Sequence, residues 1–139
     1  MQKEIKQTWL FQQSPQEVWE YLTKPELLAQ WLMETDFQPV VGHKFRFTCD
    51  ATAYCEVLEV QPFTRLSYSW QGDSVNGSGP FHSVVVWTLT PRAGGTELQL
   101  IHNGFRVLED LIGHEKGWIG CGNRISELLN TVKDVRTNA

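Results

Sequence analysis

The spacing of apolar residues changes period twice along this chain. At the start, Ile5, Trp9 and Phe11 fall on one face, with Gln7 among them, and Lys6 and Thr8 fall on the other. That alternation over residues 3–11 predicts a half-buried strand. The segment SPQEVWEYL (14–22) then switches to helical spacing, with Val18, Trp19 and Leu22 as an apolar stripe. Ser14 can cap this helix, Pro15 suits its first position, and Glu17 completes a capping box. KPELLAQWL (24–32) predicts a second short helix, with Pro25 near its start and Leu27, Leu28, Trp31 and Leu32 apolar.

From residue 37 to residue 103 the period returns to two. Phe45, Phe47 and Cys49 share a face, and a DAT turn (50–52) leads into AYCEVLEVQ, which Pro62 ends. In RLSYSWQ, Leu66, Tyr68 and Trp70 point one way and Arg65, Ser67, Ser69 and Gln71 the other. GDSVNGSGP (72–80) has the composition of an exposed loop. HSVVVWTLT places Val85, Trp87 and Leu89 on its heavier face, and after the PRAGG turn TELQLIHN places Leu98, Leu100 and His102 together. Such short turns exclude parallel crossovers and predict an antiparallel meander. The last segment is helical: Trp118, Cys121, Ile125, Leu128, Leu129 and Val132 recur at three- and four-residue spacing. Leu108, Leu111 and Ile112 can extend this helix upstream, unless Gly113 to Gly117 kink or break its start. The order is a strand, two short helices, about six further strands and a long helix. It predicts an α+β fold in which a curved antiparallel sheet of six to seven strands wraps around the C-terminal helix.

Composition narrows the function. The 139 residues fit one domain, 1–139. Six Trp, seven Phe and three Tyr imply a large ring-rich interior, either filled or lining a pocket. A net charge of −4 with no Lys/Arg-rich run argues against nucleic-acid binding. No apolar stretch approaches the ~20 residues of a membrane span, and MQKEIKQTWLFQQ has no signal-peptide pattern. Cys49, Cys55 and Cys121 are an odd count without metal-finger spacing, which predicts free buried thiols in a reducing cytoplasm. Cys49 and Cys55 look offset across their turn rather than opposed. There is no HExxH and no pair of histidines one helical turn apart, so neither a metal nor a cofactor is expected. No feature selects between monomer and homodimer.

Several ordered motifs carry a family resemblance. SPQEVWEYLTKPELLAQWL resembles the opening of the SRPBCC (START/birch-pollen-allergen-like) superfamily, in its activator-of-heat-shock-protein-90-ATPase-like branch. VGHKFRF (41–47) is similar to the V-G-G-x-F-x-F of that branch. Val57-Leu58-Glu59-Val60 with Pro62, Arg65-Leu66 and Trp70 resembles its V-x-E-V-x-P-x-x-x-L-x-x-x-W. GGTELQLIHNGF resembles G-G-T-x-L-x-L-x-H-x-G-F, and Gly117-Trp118 the G-W of the last helix. The resemblance covers nearly the whole chain. It implies a helix-grip fold with a cavity between sheet and helix. Relatives with this fold include carriers of hydrophobic ligands, polyketide cyclases, hydrolases and chaperone-associated domains, so fold alone does not fix function.

The candidate ligand-binding set is Trp31, Phe45, Phe47, Tyr68, Trp70, Trp87, His102, Phe105, Trp118 and Gly122. The rings form either a solid core or a pocket wall. His102 shares a face with Leu98 and Leu100, so it is either a polar or proton-carrying group in the cavity or a buried, hydrogen-bonded strand-end histidine; spacing identifies no acid partner. His114, among charged neighbours, reads as a solvated helix position. Gly113, Gly117, Gly120 and Gly122 each cost about 0.5–1 kcal/mol relative to alanine in a helix, so they need a reason: close packing or room for a ligand at Gly120 and Gly122, or a kink or broken helix start near Gly113 to Gly117. The leading expectation is a small hydrophobic molecule bound between sheet and helix, with loop 72–80 and the Trp31 helix as entrance or lid. The alternatives are an acid–base enzyme in the same pocket, cyclase- or hydrolase-like with His102 as proton carrier, and an interaction module with a chaperone partner.

Overall fold

A computed structural model describes the backbone of residues 4–49 and 51–138, and side chains as far as residue 130. The start of the first strand at Lys3, Asp50 of the DAT turn and the Val132 side chain lie outside the described residues.

Strand β1 (Glu4–Phe11) leads into helices α1 (Pro15–Thr23) and α2 (Pro25–Trp31). Then come β2 (Glu34–Thr35), β3 (Lys44–Thr48), β4 (Thr52–Gln61), β5 (Arg65–Asp73), β6 (Pro80–Arg92), β7 (Gly95–Asn103) and the long helix α3 (Leu108–Asn138). The capping box forms as its residues require: the Ser14 hydroxyl accepts from the Glu17 amide, and the Glu17 carboxylate accepts from the Ser14 amide. Proline at the first position of both α1 and α2 gives up an amide that has no helical partner anyway.

The strands form one antiparallel sheet in the order β1-β7-β6-β5-β4-β3-β2. β1 pairs with β7 at one edge, the α1–α2 segment carries the chain from there to β2 at the other edge, and the remaining strands follow the chain. The sheet curls around α3 as a half-barrel, which makes this an α+β helix-grip fold. A register shift between Val57 and Glu59 interrupts β4 against β5, the kind of irregularity that sharpens local curvature.

The inner face of the sheet is continuous and apolar. Ile5, Phe47, Leu66, Val85, Trp87, Leu98 and Leu100 are fully buried, and Ile125 and Leu129 meet them from α3. Trp87 is a hub. Its ring stands edge-on to Trp31 at 5.8 Å and to Trp118 at 5.5 Å, and tilts against Trp9 at 6.2 Å. At Gly122 the helix meets β1 so closely that a Cβ would stand 2.5 Å from Trp9 Nε1. Only glycine allows that approach.

Three expectations need correction. Cys49 is exposed, because it lies beyond the last paired residue of β3 and no longer follows the strand's alternation; Cys55 and Cys121 are buried, and all three thiols are free. The loop is shorter than 72–80, since β5 runs to Asp73 and β6 begins at Pro80, and Ser74 within it is buried. Helix α3 is continuous from Leu108, so Gly113 to Gly117 neither break nor delay it.

Candidate functional site

Strand β7 delivers His102 to the inner face of the sheet, where it is fully buried. Trp118, on α3, donates its indole N–H to His102 Nδ1 at 3.0 Å. That nitrogen therefore carries a lone pair, and the imidazole proton sits on Nε2. Nε2 lies 2.8 Å from Ser83 Oγ, to which it donates, and Ser83 passes its own proton to the Trp70 carbonyl at 2.8 Å. Trp70 in turn donates its indole N–H to His114 Nε2 at 3.3 Å. His114 Nδ1 is then the protonated nitrogen and donates to the Asp110 carbonyl one turn back, at 2.8 Å. The chain of bonds thus fixes both imidazoles as neutral, in opposite tautomers.

Burial supports the same protonation states. It lowers the His102 pKa to about 3, and neighbouring His114 adds to the effect. Burial also lowers His114, against the opposing pull of the Asp110 carbonyl and carboxylate. Phe105 closes the group from behind, its ring 4.6 Å from His102 and 5.0 Å from His114.

Asp110 does a second job. Its buried carboxylate accepts from Ser74 Oγ at 2.7 Å and from the Val75 amide at 2.9 Å, which ties the β5–β6 loop to the first turn of α3. The stretch expected to be an exposed loop is anchored at one end by a charged acceptor.

Beside this network lies a pocket of about 390 Å3, open to solvent. Helix α3 supplies one wall through Asp110, Gly113, His114, Gly117, Trp118 and Cys121. The facing wall comes from Leu32 and Met33 after α2, Cys49 after β3, Trp70 of β5 and Val75 of the loop. Glu109 and Arg124 stand towards its two ends along the helix. Arg124 donates through Nε to the Trp31 carbonyl at 3.0 Å and through a terminal nitrogen to Cys121 Sγ at 3.2 Å. Both indole N–H groups, both His114 nitrogens and both Asp110 oxygens are already bonded within the protein, so the rings present carbon surface to the pocket.

Of the ten residues expected to bind ligand, Trp70 and Trp118 line this pocket. Trp31, Phe45, Phe47, Tyr68 and Trp87 pack against one another in the interior, where Trp87 donates to the Tyr68 hydroxyl at 2.9 Å and Trp31 to the Tyr21 carbonyl at 2.9 Å. Burial raises the Tyr68 pKa above its ordinary value. His102 and Phe105 stand behind the pocket wall, and Gly122 turns to Trp9. The solvated reading of His114 is overturned. Its charged neighbours Glu115 and Lys116 are exposed, but His114 itself lies one turn before Trp118 and extends that residue's inward stripe. That four-residue spacing was the signal available in the sequence. Val75 and the Asp110 latch had none, because they depend on where a loop returns in space. Among the described residues no group of three or more metal-ligating side chains converges, and no helix is long and apolar enough to cross a membrane.

A curled antiparallel sheet gripping a C-terminal helix, with a pocket at one end of the grip, defines a helix-grip protein. More narrowly, the model of the Activator of Hsp90 ATPase homolog 1-like protein family matches residues 12–130, and the chain belongs to that family. Protein MLL2253 from Mesorhizobium loti is 34% identical, with a TM-score of 0.86 over 92% of this chain and 97% of its own. Two more distant structures share the fold. DynU16, a protein in the dynemicin biosynthetic locus, is 24% identical with a TM-score of 0.82, over 94% of this chain and 48% of its own. The AHSA1 protein SPO3351 from Silicibacter pomeroyi is 16% identical with a TM-score of 0.77, over 92% of this chain and 98% of its own. No curated protein matches the chain significantly.

Proposed function

We propose that the protein binds a small, mainly apolar molecule in the pocket between the first half of α3 and the Trp70 end of the sheet. The observation that carries this reading is an open space of about 390 Å3 along which the Trp70 and Trp118 indoles, His114 and the Asp110 carboxylate have their polar atoms already satisfied internally. That part of the wall accepts apolar surface without stranding a donor or acceptor. The volume lies within the roughly 300–1,000 Å3 of ligand pockets. The presence of the similarly folded DynU16 in a biosynthetic locus is in keeping with a small-molecule role.

Binding is favoured over acid–base chemistry through His102. That imidazole is fully buried behind the wall, and both its nitrogens are engaged. The imidazole that reaches the pocket is His114.

A second reading, docking to an Hsp90-type chaperone, has one observation of its own beside the family description. Leu108, Ile112 and Ile119 are exposed on α3 at spacings that place them within one face. Under this reading Ile112→Lys abolishes binding to a purified chaperone of that class and leaves the pocket intact.

Native mass spectrometry after gentle purification tests the leading reading. The expected result is a bound molecule of a few hundred daltons, or, with an empty pocket, Trp70 and Trp118 indole resonances that move on adding small apolar compounds. A bare chain whose indole resonances ignore both aromatic and aliphatic compounds would overturn it.

A further inference from the structure

The pocket rests on its volume and its ring wall. What decides which molecules it accepts is a separate matter, and it turns on two glycines. Gly113 and Gly117 are one helical turn apart, both exposed, and both part of the pocket wall. Inside a helix each is less favourable than alanine. At two other positions the structure explains the glycine. At Gly122 a Cβ would collide with Trp9, and Gly104 has a φ of +106° with neighbouring backbone 3.0 Å from where a Cβ would stand. Neither reason applies at Gly113 or Gly117. A Cβ added at either would meet nothing within 4 Å, and neither has the positive φ that disfavours side chains. The fold therefore tolerates side chains at both positions. What both positions share is the pocket, which any side chain there would enter.

We infer that Gly113 and Gly117 are the specificity determinants of this pocket: they leave a side-chain-free floor of helix backbone on which a flat, fused-ring molecule lies against the Trp70 and Trp118 rings. This rests on the reading that the pocket binds a small apolar molecule. The bare stretch from Gly113 to Gly117 is ~6 Å long at the rise of an α-helix, and the same row of the pocket wall continues to the small Cys121, ~12 Å from Gly113. That length and shape suit several fused rings better than a globular molecule of the same volume. Trp70 and Trp118, with centroids 5.6 Å apart and planes inclined at 52°, are nearly buried and border the pocket with carbon, because their N–H groups point into the protein. Aromatic rings make favourable edge contacts with such borders.

The test uses the full chain, with 1-pyrenesulfonate as a flat probe and 1-adamantanecarboxylate as a globular one. Gly113→Ala, Gly117→Ala, the double variant and Gly120→Ala are compared. Gly120 is in the same helix but outside the pocket, and its Cβ would make only an ordinary contact of 3.6 Å with Arg124. Each alanine is expected to raise Tm by roughly 2–4 °C, because the helix gains without a clash. In the wild type, pyrenesulfonate moves the Trp70 and Trp118 indole resonances and adamantanecarboxylate does not. The double variant binds pyrenesulfonate at least ten-fold more weakly, while Gly120→Ala keeps the wild-type affinity. Unchanged affinity in the double variant, or equal binding of both probes by the wild type, overturns the inference and leaves the pocket reading standing. A fall in Tm at residue 113 or 117 also overturns it, since the glycines would then serve the helix. Failure of the wild type to bind either probe refutes the pocket reading itself.

Discussion

His102 offers a quantitative check on the network. Burial lowers its pKa to about 3 in the folded protein, against 6.5 for an exposed histidine. Between those values the unfolded chain binds a proton that the folded protein refuses. Stability is therefore complete above pH ~6.5 and is lost as pH falls below it, with the loss levelling only near pH 3. From pH 7.0 to pH 5.5 the loss from this residue alone is about 1.3 kcal/mol, and the slope approaches ~1.4 kcal/mol per pH unit. Lowered in the same direction, His114 steepens the dependence. The perturbation is His102→Asn, whose Oδ1 can still accept the Trp118 N–H while the titrating group is gone. Urea unfolding followed by tryptophan fluorescence, at constant ionic strength from pH 7.0 to 5.5, gives the stability of both proteins. Wild type loses about 1.3 kcal/mol more than the variant over that interval. Parallel curves, differing by the same amount at every pH within about 0.3 kcal/mol, would refute the reasoning: His102 would then take up a proton in the fold as readily as in the unfolded chain, and its burial as a neutral imidazole would be wrong.

Two further outcomes follow from close contacts. Gly122→Ala lowers stability by about 1–3 kcal/mol despite the better helix propensity of alanine, because the methyl group must displace the Trp9 ring; a raised Tm in thermal denaturation would contradict the packing at α3 and β1. Asp110→Ala frees the β5–β6 loop, so the Val75 amide, held at 2.9 Å, exchanges its hydrogen at least ten-fold faster; unchanged exchange by NMR would show that the loop does not depend on this carboxylate.

The sequence carried the architecture well because every element has a local signature. The period-two faces of β5 and β7, the Ser14–Glu17 capping box and the prolines opening α1 and α2 are each written within a few residues, and each is where the pattern places it. The site was less legible. Tyr68 and Trp70 sit two residues apart on the same strand face, yet one hydroxyl is buried against Trp87 and the other ring reaches the pocket. Alternation assigns a face and not a depth along the sheet, and depth separates core from pocket here. Val75 and Asp110 are 35 residues apart, and only the return of the chain makes them partners.

The two histidines show the same limit from the other side. Strand phase favoured His102, and it was right about the face: the side chain points inward, to a place already filled by Trp118, Ser83 and Phe105. Local composition disfavoured His114, because Glu115 and Lys116 follow it. A helix, however, turns 100° per residue, so charged neighbours on an adjacent face say little about the residue beside them. The better guide was the stripe ahead of it. Extending Trp118 back by one turn gives His114, and back from Cys121 it gives Gly117 and then Gly113. These adjacent rows form much of the pocket's helix wall, one carrying rings and the other bare of side chains at its two glycines. An imidazole whose lone pair is spent on an indole and two glycines with open space above them make this part of the wall a surface that offers shape rather than hydrogen bonds. Selectivity in such a pocket is decided by what fits against the backbone.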